Sequence, residues 1–187
     1  MQRFIGNGTS LAMGVVLWMA GVCAAQIPEM PKPAKEHELL KQFAGEWEVA
    51  AEALAAPGQE ALKCEGTESA KMLGGFWLVG QNQASMQGMP VSSVLTIGYD
   101  PAAKRYVGTF VCSMDSTHWK YVGDMDESGK KLTLETEGPS MLDHAKKAKY
   151  RETLELKDKD HKVFTSFIQD AEGKWVKMIT MDYRRKK

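Results

Sequence analysis

The sequence lacks an excess of charge of either sign, because 24 lysine and arginine residues balance 24 aspartate and glutamate residues. A neutral chain has no general electrostatic attraction to the phosphates of a nucleic acid or to an anionic membrane surface. Hydrophobic residues make up 43% and charged residues 26% of the 187 positions, which is ordinary for a globular protein. We therefore expect one globular domain with no nucleic-acid partner.

The sequence also lacks the short motifs that identify common enzyme classes. It contains no G-x-S-x-G, no P-loop, no G-x-G-x-x-G and no H-E-x-x-H. There is no C-x-x-C, and the four histidines, His37, His118, His144 and His161, are not spaced as a metal triad. We therefore expect neither a metal nor a cofactor.

The first 25 residues differ from the rest of the chain. They carry one charged residue, Arg3, followed by an apolar run over 11–25 that ends in the small residues Cys-Ala-Ala. This order is typical of a secretory signal peptide, and the run is short for a membrane span. We predict cleavage after Ala25 or one residue earlier, and export to the periplasm or the medium. An uncleaved anchor or a buried helix is one alternative. Acylation of the cysteine at 23 is another, which the bulky valine before it disfavours.

Cysteine is scarce in the mature chain, where Cys64 and Cys112 are the two that follow the predicted cleavage site. An oxidising compartment permits a disulfide between them. Two buried free thiols, acting as small hydrophobic side chains, are equally compatible with the sequence. Spacing along the chain does not decide between these, since a bridge depends on the distance between the two Cα atoms.

The domain begins with a helical pattern. Residues 26–33 are proline-rich and predict an extended linker, so we place the globular domain at 34–187. Over 34–43 the apolar residues Leu39, Leu40 and Phe43 form one stripe, which predicts a helix. A glycine just past a helix commonly takes a positive φ, so we expect Gly45 to end it.

From Trp47 onward the apolar period changes to two, which predicts half-buried strands. Ten such segments follow one another with short links rich in glycine, aspartate and asparagine. The expected strands are 46–53, 62–72, 76–83, 93–100, 105–114, 118–125, 131–138, 149–156, 162–170 and 174–185. This spacing favours a mainly β fold, an antiparallel barrel of about ten strands. Closure would remove the exposed edges, and a two-sheet sandwich is the alternative.

Four polar residues are candidates for a ligand-binding pocket. Glu152 shares a predicted strand face with Tyr150, Leu154 and Leu156, and Lys177 is expected to share one with Trp175, Ile179 and Met181. A buried charge requires a partner, so these two could face each other inside the barrel, or either could lie outside, and the sequence does not decide between these arrangements. Glu68 and Tyr121 complete the set. In an enzyme, a pocket carboxyl with a raised pKa would serve as an acid or base.

The residues Gly45-Glu46-Trp47 follow the predicted helix, and this arrangement resembles the N-terminal signature of lipocalin-like (calycin) barrels. The resemblance implies that Trp47 packs across a closed barrel end. It also implies that an arginine from the last strand, here Arg184 or Arg185, lies against the indole. A guanidinium over an indole contributes roughly 0.5–2 kcal/mol, depending on burial.

Longer segments resemble one family, the bacterial domain-of-unknown-function family 1579. They are HELLKQFAGEWEV, KCEGTESAKMLGGFWLV, TIGYDPAAKRYVGTFV and EGKWVKMITMDYRR, and together they extend from about Lys35 to Arg185. The resemblance implies a lipocalin-like barrel and carries over no catalytic residues.

The expected function is that of an exported barrel that binds a small apolar or amphipathic molecule without catalysis. An enzyme using a carboxylate in the barrel pocket is the alternative. Haem or nitric-oxide binding is implied only by related barrels, and no histidine is placed by the sequence as an axial ligand. After signal cleavage we expect no membrane partner, and the oligomeric state stays open.

Overall fold

The computed structural model describes residues 30–54, 60–141, 143 and 145–187. The predicted signal peptide, with Cys23, lies outside these residues, and so does His144. The chain divides into two units after Pro31, and the unit Lys32–Lys187 contains every described strand. Within the described residues, no helix is long and apolar enough to cross a membrane.

Ten antiparallel strands form a closed barrel in which each strand pairs with its neighbours in sequence and β1 pairs with β10. Closure confirms the barrel and excludes the sandwich. The strands are β1 (Gly45–Ala53), β2 (Leu62–Leu73), β3 (Trp77–Met86), β4 (Met89–Asp100), β5 (Arg105–Cys112), β6 (Asp115–Met125), β7 (Lys131–Pro139), β8 (Lys147–Asp158), β9 (His161–Gln169) and β10 (Trp175–Arg185).

A short helix precedes the barrel, as the apolar stripe predicts. Helix α1 spans Lys35–Leu40 and continues as a 3-10 turn over Lys41–Phe43. Leu40 and Phe43 are fully buried in the main hydrophobic core, so the helix covers one end of the barrel. Two glutamates in its first turn stabilise the helix because they lie near the positive end of its dipole.

Gly45 has the expected positive φ, but the expectation that it ends the helix is wrong. The backbone is already extended at Ala44, and Gly45 is the first residue of β1 with φ 140°. A Cβ atom at Gly45 would lie 2.0 Å from Nη1 of Arg185. The glycine is therefore required by a guanidinium that passes beside the backbone, and by a φ that other residues rarely adopt.

The hairpin between β3 and β4 is longer than the sequence pattern indicates. Both strands continue to a two-residue turn at Gln87-Gly88, where φ is positive at both positions. Positive φ at both central residues is the geometry of tight hairpin turns whose twist matches the strands. Pro90 lies within β4 and obscures the strand pattern in the sequence.

The two ends of the barrel differ in burial. At the end covered by α1, inward-facing side chains such as Trp47, Leu132 and Ile97 are fully buried. At the opposite end, called the open end below, many inward-facing residues of β1–β5 are only half-buried. Small ones among them are Ala53, Cys64, Gly66, Ala84, Ser93 and Cys112.

Candidate functional site

A buried carboxyl group lies on the inner face of the barrel wall. Glu152, on β8, is 7% exposed and pairs across the sheet with Leu134 on β7 and Ser166 on β9. Its Oε1 accepts a hydrogen bond of 3.1 Å from the Ser166 hydroxyl, which is also buried. Its Oε2 has no hydrogen-bond partner among the described residues. The strand alternation placed Glu152 on one face with Tyr150, Leu154 and Leu156 without deciding whether that face points inward, and the structure buries all four.

Burial dominates the chemistry of this carboxyl. Removal from water disfavours the charged form and raises the pKa of Glu152 to about 8, although the Ser166 hydrogen bond opposes the rise. No basic side chain forms an ion pair with Glu152 in the described part of the chain. The group is therefore largely protonated at neutral pH.

Tyr121 lies on the inner face of β6 and is 7% exposed. Burial raises the pKa of its hydroxyl, and the negative charge that Glu152 can carry raises it further. The Tyr121 hydroxyl makes no hydrogen bond to any described residue. The structure thus brings Tyr121 and Glu152 into one electrostatic environment, together with Ser166, which the sequence analysis missed. Phe164 and Ile168 share the face of Ser166, but Val163 and Phe167 lie on the other face of β9, so alternation alone does not place Ser166 inside.

Lys177 does not face Glu152: of the two arrangements that the sequence left open, the structure has the one in which Lys177 lies outside the barrel. Lys177 is exposed, and the register of β10 shifts between Lys177 and Ile179. One extra residue at such a bulge reverses which side chains point inward. Ile179 pairs with inward-facing Ser166, whereas Lys177 pairs with Phe167 and points outward.

Glu68 is buried, but it belongs to a different cluster at the α1 end. Its Oε1 accepts a hydrogen bond of 2.5 Å from Nζ of Lys162, which is 2% exposed and also donates to the Phe43 carbonyl. Burial lowers the pKa of Lys162, and the nearby Glu68 carboxylate opposes that change. Lys162 and Ser166, the cross-strand partner of Glu152, are four residues apart on β9, so their Cα atoms lie about 13 Å apart along the strand.

Trp47 forms the centre of that closed end. Nζ of Lys162 lies 4.4 Å from the centroid of the indole, and the guanidinium carbon of Arg185 lies 4.1 Å from it. Arg185 also donates to the Ala44 carbonyl at 2.9 Å. Arg184 points outward and pairs with Asp182, so Arg185 is the barrel-end partner and Arg184 is not. The register decides this, because Trp47 pairs directly with Arg185.

The model of the family described as "Protein of unknown function (DUF1579)" matches residues 32–185, which include every described strand. The chain belongs to DUF1579. No curated protein matches it significantly.

Solved structures similar to this DUF1579 chain are β-barrels. Rv2717c from M. tuberculosis is 12% identical with a TM-score of 0.62, over 83% of this chain and 100% of that one. A de novo designed fluorescence-activating β-barrel is 14% identical with a TM-score of 0.44, over 78% and 95%. The designed protein EF1p2_mFAP2b, solved bound to DFHBI, is 9% identical with a TM-score of 0.44, over 81% and 99%. At these identities the likeness to Rv2717c supports the fold alone.

Other candidate groups of the DUF1579 barrel lie away from Glu152. None of the three described histidines occupies an inward-facing strand position: His37 is on α1, His118 is exposed, and His161 contacts Asp182 on the outer face. These positions do not fit an axial haem ligand. In the described residues, no three histidine, cysteine or acidic side chains are grouped to hold a metal ion.

The described part of the DUF1579 barrel also contains two cysteines and surface grooves. Cys64 and Cys112 are free thiols on the inner faces of β2 and β5. One groove of about 270 Å³ lies beside α1 and is lined by residues that include Tyr99 and Tyr106. Another of about 250 Å³ lies at the open end, between the ends of β7, β8 and β9. Glu152 and Tyr121 line neither groove.

Proposed function

We propose that this barrel is an exported binding protein for a small amphipathic molecule, held in the interior with its polar group at Glu152 and Tyr121. One observation carries the proposal: Oε2 of Glu152 is buried and has no hydrogen-bond partner in the described residues. Tyr121, whose hydroxyl senses the charge of Glu152, is also a buried residue. An unmade buried hydrogen bond costs about 1–3 kcal/mol. A bound molecule with a matching polar group removes that cost.

The shape of the interior supports the same proposal. The α1 end is closed by Phe43, Trp47 and the Lys162–Glu68 ion pair, so a ligand would enter from the open end. Several inward-facing residues at the open half are small and only half-buried, which supports entry of an apolar body at that end. A mostly apolar site with a few convergent polar groups is the usual design of a small-molecule pocket.

Export is part of the proposal and rests on the composition of residues 1–25. A fusion of these residues to a reporter enzyme that is active only outside the cytoplasm tests it. Reporter activity with the natural segment, and its loss when the apolar run is interrupted by two arginines, would support export. Equal activity of both fusions would contradict it.

A catalytic role has one specific observation in its favour, the raised pKa of Glu152. A carboxyl with a pKa of about 8 is protonated enough to donate a proton and basic enough to accept one near neutral pH. Recovery of an unchanged ligand from the barrel favours binding. Time-dependent conversion of that ligand, abolished by Glu152→Gln, would favour the enzyme.

Native mass spectrometry of protein purified from its own host tests the binding function. We expect a bound small molecule on the wild type. Ala84→Phe places a large side chain on the inner face of β3 toward the open end and should displace the molecule, while Ser85→Phe, on the outer face of the same strand, should retain it. Circular dichroism verifies that both variants fold. A ligand-free wild type, or equal retention by both variants, would contradict an interior site.

A further inference from the structure

The polar groups at Glu152 differ in what they offer a ligand. Ser166 is already committed, since its hydroxyl donates to Oε1 of Glu152. Oε2 of Glu152 has no hydrogen-bond partner in the described part of the barrel, and the Tyr121 hydroxyl has none there either. The inner wall beside them is apolar, with Leu134 directly across the strand pair.

The surroundings of Glu152 favour its protonated form. A buried carboxylate requires a cation or several donors. Among the described residues, the lysine buried in the interior is Lys162, and it is occupied by Glu68 at the closed end. Glu152 receives one hydrogen bond, from a neutral hydroxyl, and burial raises its pKa to about 8. With its proton on Oε2, the carboxyl is a hydrogen-bond donor there.

Two donors at this site therefore lack an acceptor. A tyrosine hydroxyl and a protonated carboxyl each satisfy their donor capacity on a lone pair, which an ammonium group does not have. The same combination, a tyrosine with a neutral buried carboxylic acid, forms the oxyanion hole of ketosteroid isomerase. An acceptor oxygen at the polar end of the ligand satisfies both donors at once.

We infer that the ligand of this barrel carries an uncharged acceptor oxygen, such as that of a ketone, ester or amide, which receives hydrogen bonds from Glu152 and Tyr121. This inference rests on the proposed binding function and deepens it. It excludes an ammonium group at this position, which an ionised glutamate would otherwise select.

Three naphthalene probes of similar shape test the inference by titration calorimetry on the full mature chain. 2-Acetylnaphthalene offers an acceptor oxygen, 2-isopropylnaphthalene has no polar group, and 2-(1-aminoethyl)naphthalene carries a cation. At about pH 6 we expect the ketone to bind roughly 10- to 100-fold more tightly than the hydrocarbon, because each hydrogen bond contributes up to about tenfold. Equal affinities, or tightest binding of the amine, would overturn the inference and leave the binding function standing.

Variants assign the effect to the two side chains. Tyr121→Phe should lower the binding affinity for the ketone roughly tenfold and leave the affinity for the hydrocarbon unchanged. Tyr99 lies near the α1 end, so Tyr99→Phe is the matched control and should change neither the ketone affinity nor the hydrocarbon affinity. An unchanged ketone affinity in Tyr121→Phe would overturn the role of Tyr121.

The pH dependence provides a second readout. The titratable groups that act on or beside Glu152 are Tyr121 on β6 and Tyr150 on β8, and burial raises the pKa of both above the ordinary tyrosine value. Glu152 is therefore the group that ionises first as the pH rises through about 8. Ketone affinity should fall through that range in the wild type and stay flat in Glu152→Gln, whose amide still donates. A pH-independent wild type would overturn the inference.

The molecule recovered from the host decides the case in which no probe binds. A carbonyl-bearing molecule would support the inference, and an ammonium compound or a hydrocarbon would overturn it. If no probe binds and the host protein carries nothing, the binding function fails and the inference fails with it.

Discussion

Replacement of Glu152 by glutamine should remove a pH dependence from the stability of the barrel. The pKa of this carboxyl is 4.5 in an exposed chain and about 8 in the folded barrel. Between these values the folded state holds one proton that the unfolded state has released, so stability falls as the pH rises through that window. A difference of about 3.5 in pKa, at 1.36 kcal/mol for each pKa unit, sets an upper limit of about 5 kcal/mol.

Urea denaturation of wild type and Glu152→Gln at intervals between about pH 4 and pH 9 measures this effect. The free energy of unfolding of the variant, minus that of the wild type, should rise by a few kcal/mol from the acid to the alkaline end. Other titrating groups contribute equally to both proteins and cancel in the difference. Glu137→Gln, an exposed glutamate on β7, is the matched control and should show a flat difference. A flat difference for Glu152→Gln as well would refute the account of a carboxyl kept neutral by burial.

Three further predictions concern the closed end, and each is measured as a free energy of unfolding. Arg185→Ala removes the contact with the indole and the hydrogen bonds to backbone carbonyls, so it should lower the free energy of unfolding by about 2–4 kcal/mol. Arg184→Ala, at an exposed position, should lower it by less than about 1 kcal/mol. Equal losses in the two variants would contradict Arg185 as the partner of Trp47. Lys162→Met leaves Glu68 buried and unpaired, so it should lower the free energy of unfolding by about 3–5 kcal/mol. The double variant with Glu68→Leu should recover most of that loss. If it recovers none, the broken ion pair is not the source of the destabilisation. Gly45→Ala should lower the free energy of unfolding by about 2 kcal/mol or more, because alanine disfavours the positive φ and its Cβ would collide with Arg185. A urea denaturation midpoint equal to that of the wild type would contradict that reasoning.

The alternation of apolar residues predicted most of the fold because it is a local property. Ten segments with period two specify ten half-buried strands, and the shared face of Glu152, Tyr150 and Leu154 follows from the same alternation. The rule does not decide the inner face of β9, because Phe164 and Ile168 beside Lys162 are matched by apolar residues on the other face. Where the period holds without interruption, residue parity alone assigns a side chain to the interior.

The rule failed where the backbone breaks the period. The bulge between Lys177 and Ile179 shifts the parity of β10, and no residue type in that segment reveals it. The choice between Arg184 and Arg185 likewise depends on the register of β10 against β1. These strands are the last and the first of the domain in sequence, so no local pattern reveals their register. Unpartnered atoms are a three-dimensional property as well, so the sequence named Glu152 and Tyr121 as candidates without relating them to each other.

A crystal structure of the mature protein with 2-acetylnaphthalene, or with the molecule recovered from the host, tests the central claim most directly. We expect the ligand inside the barrel, with its apolar body toward the open end and its oxygen within hydrogen-bond distance of Glu152 Oε2 and the Tyr121 hydroxyl. A ligand seated on the outer surface would contradict the claim. An interior filled by side chains around Glu152, with no space for a ligand, would contradict it equally.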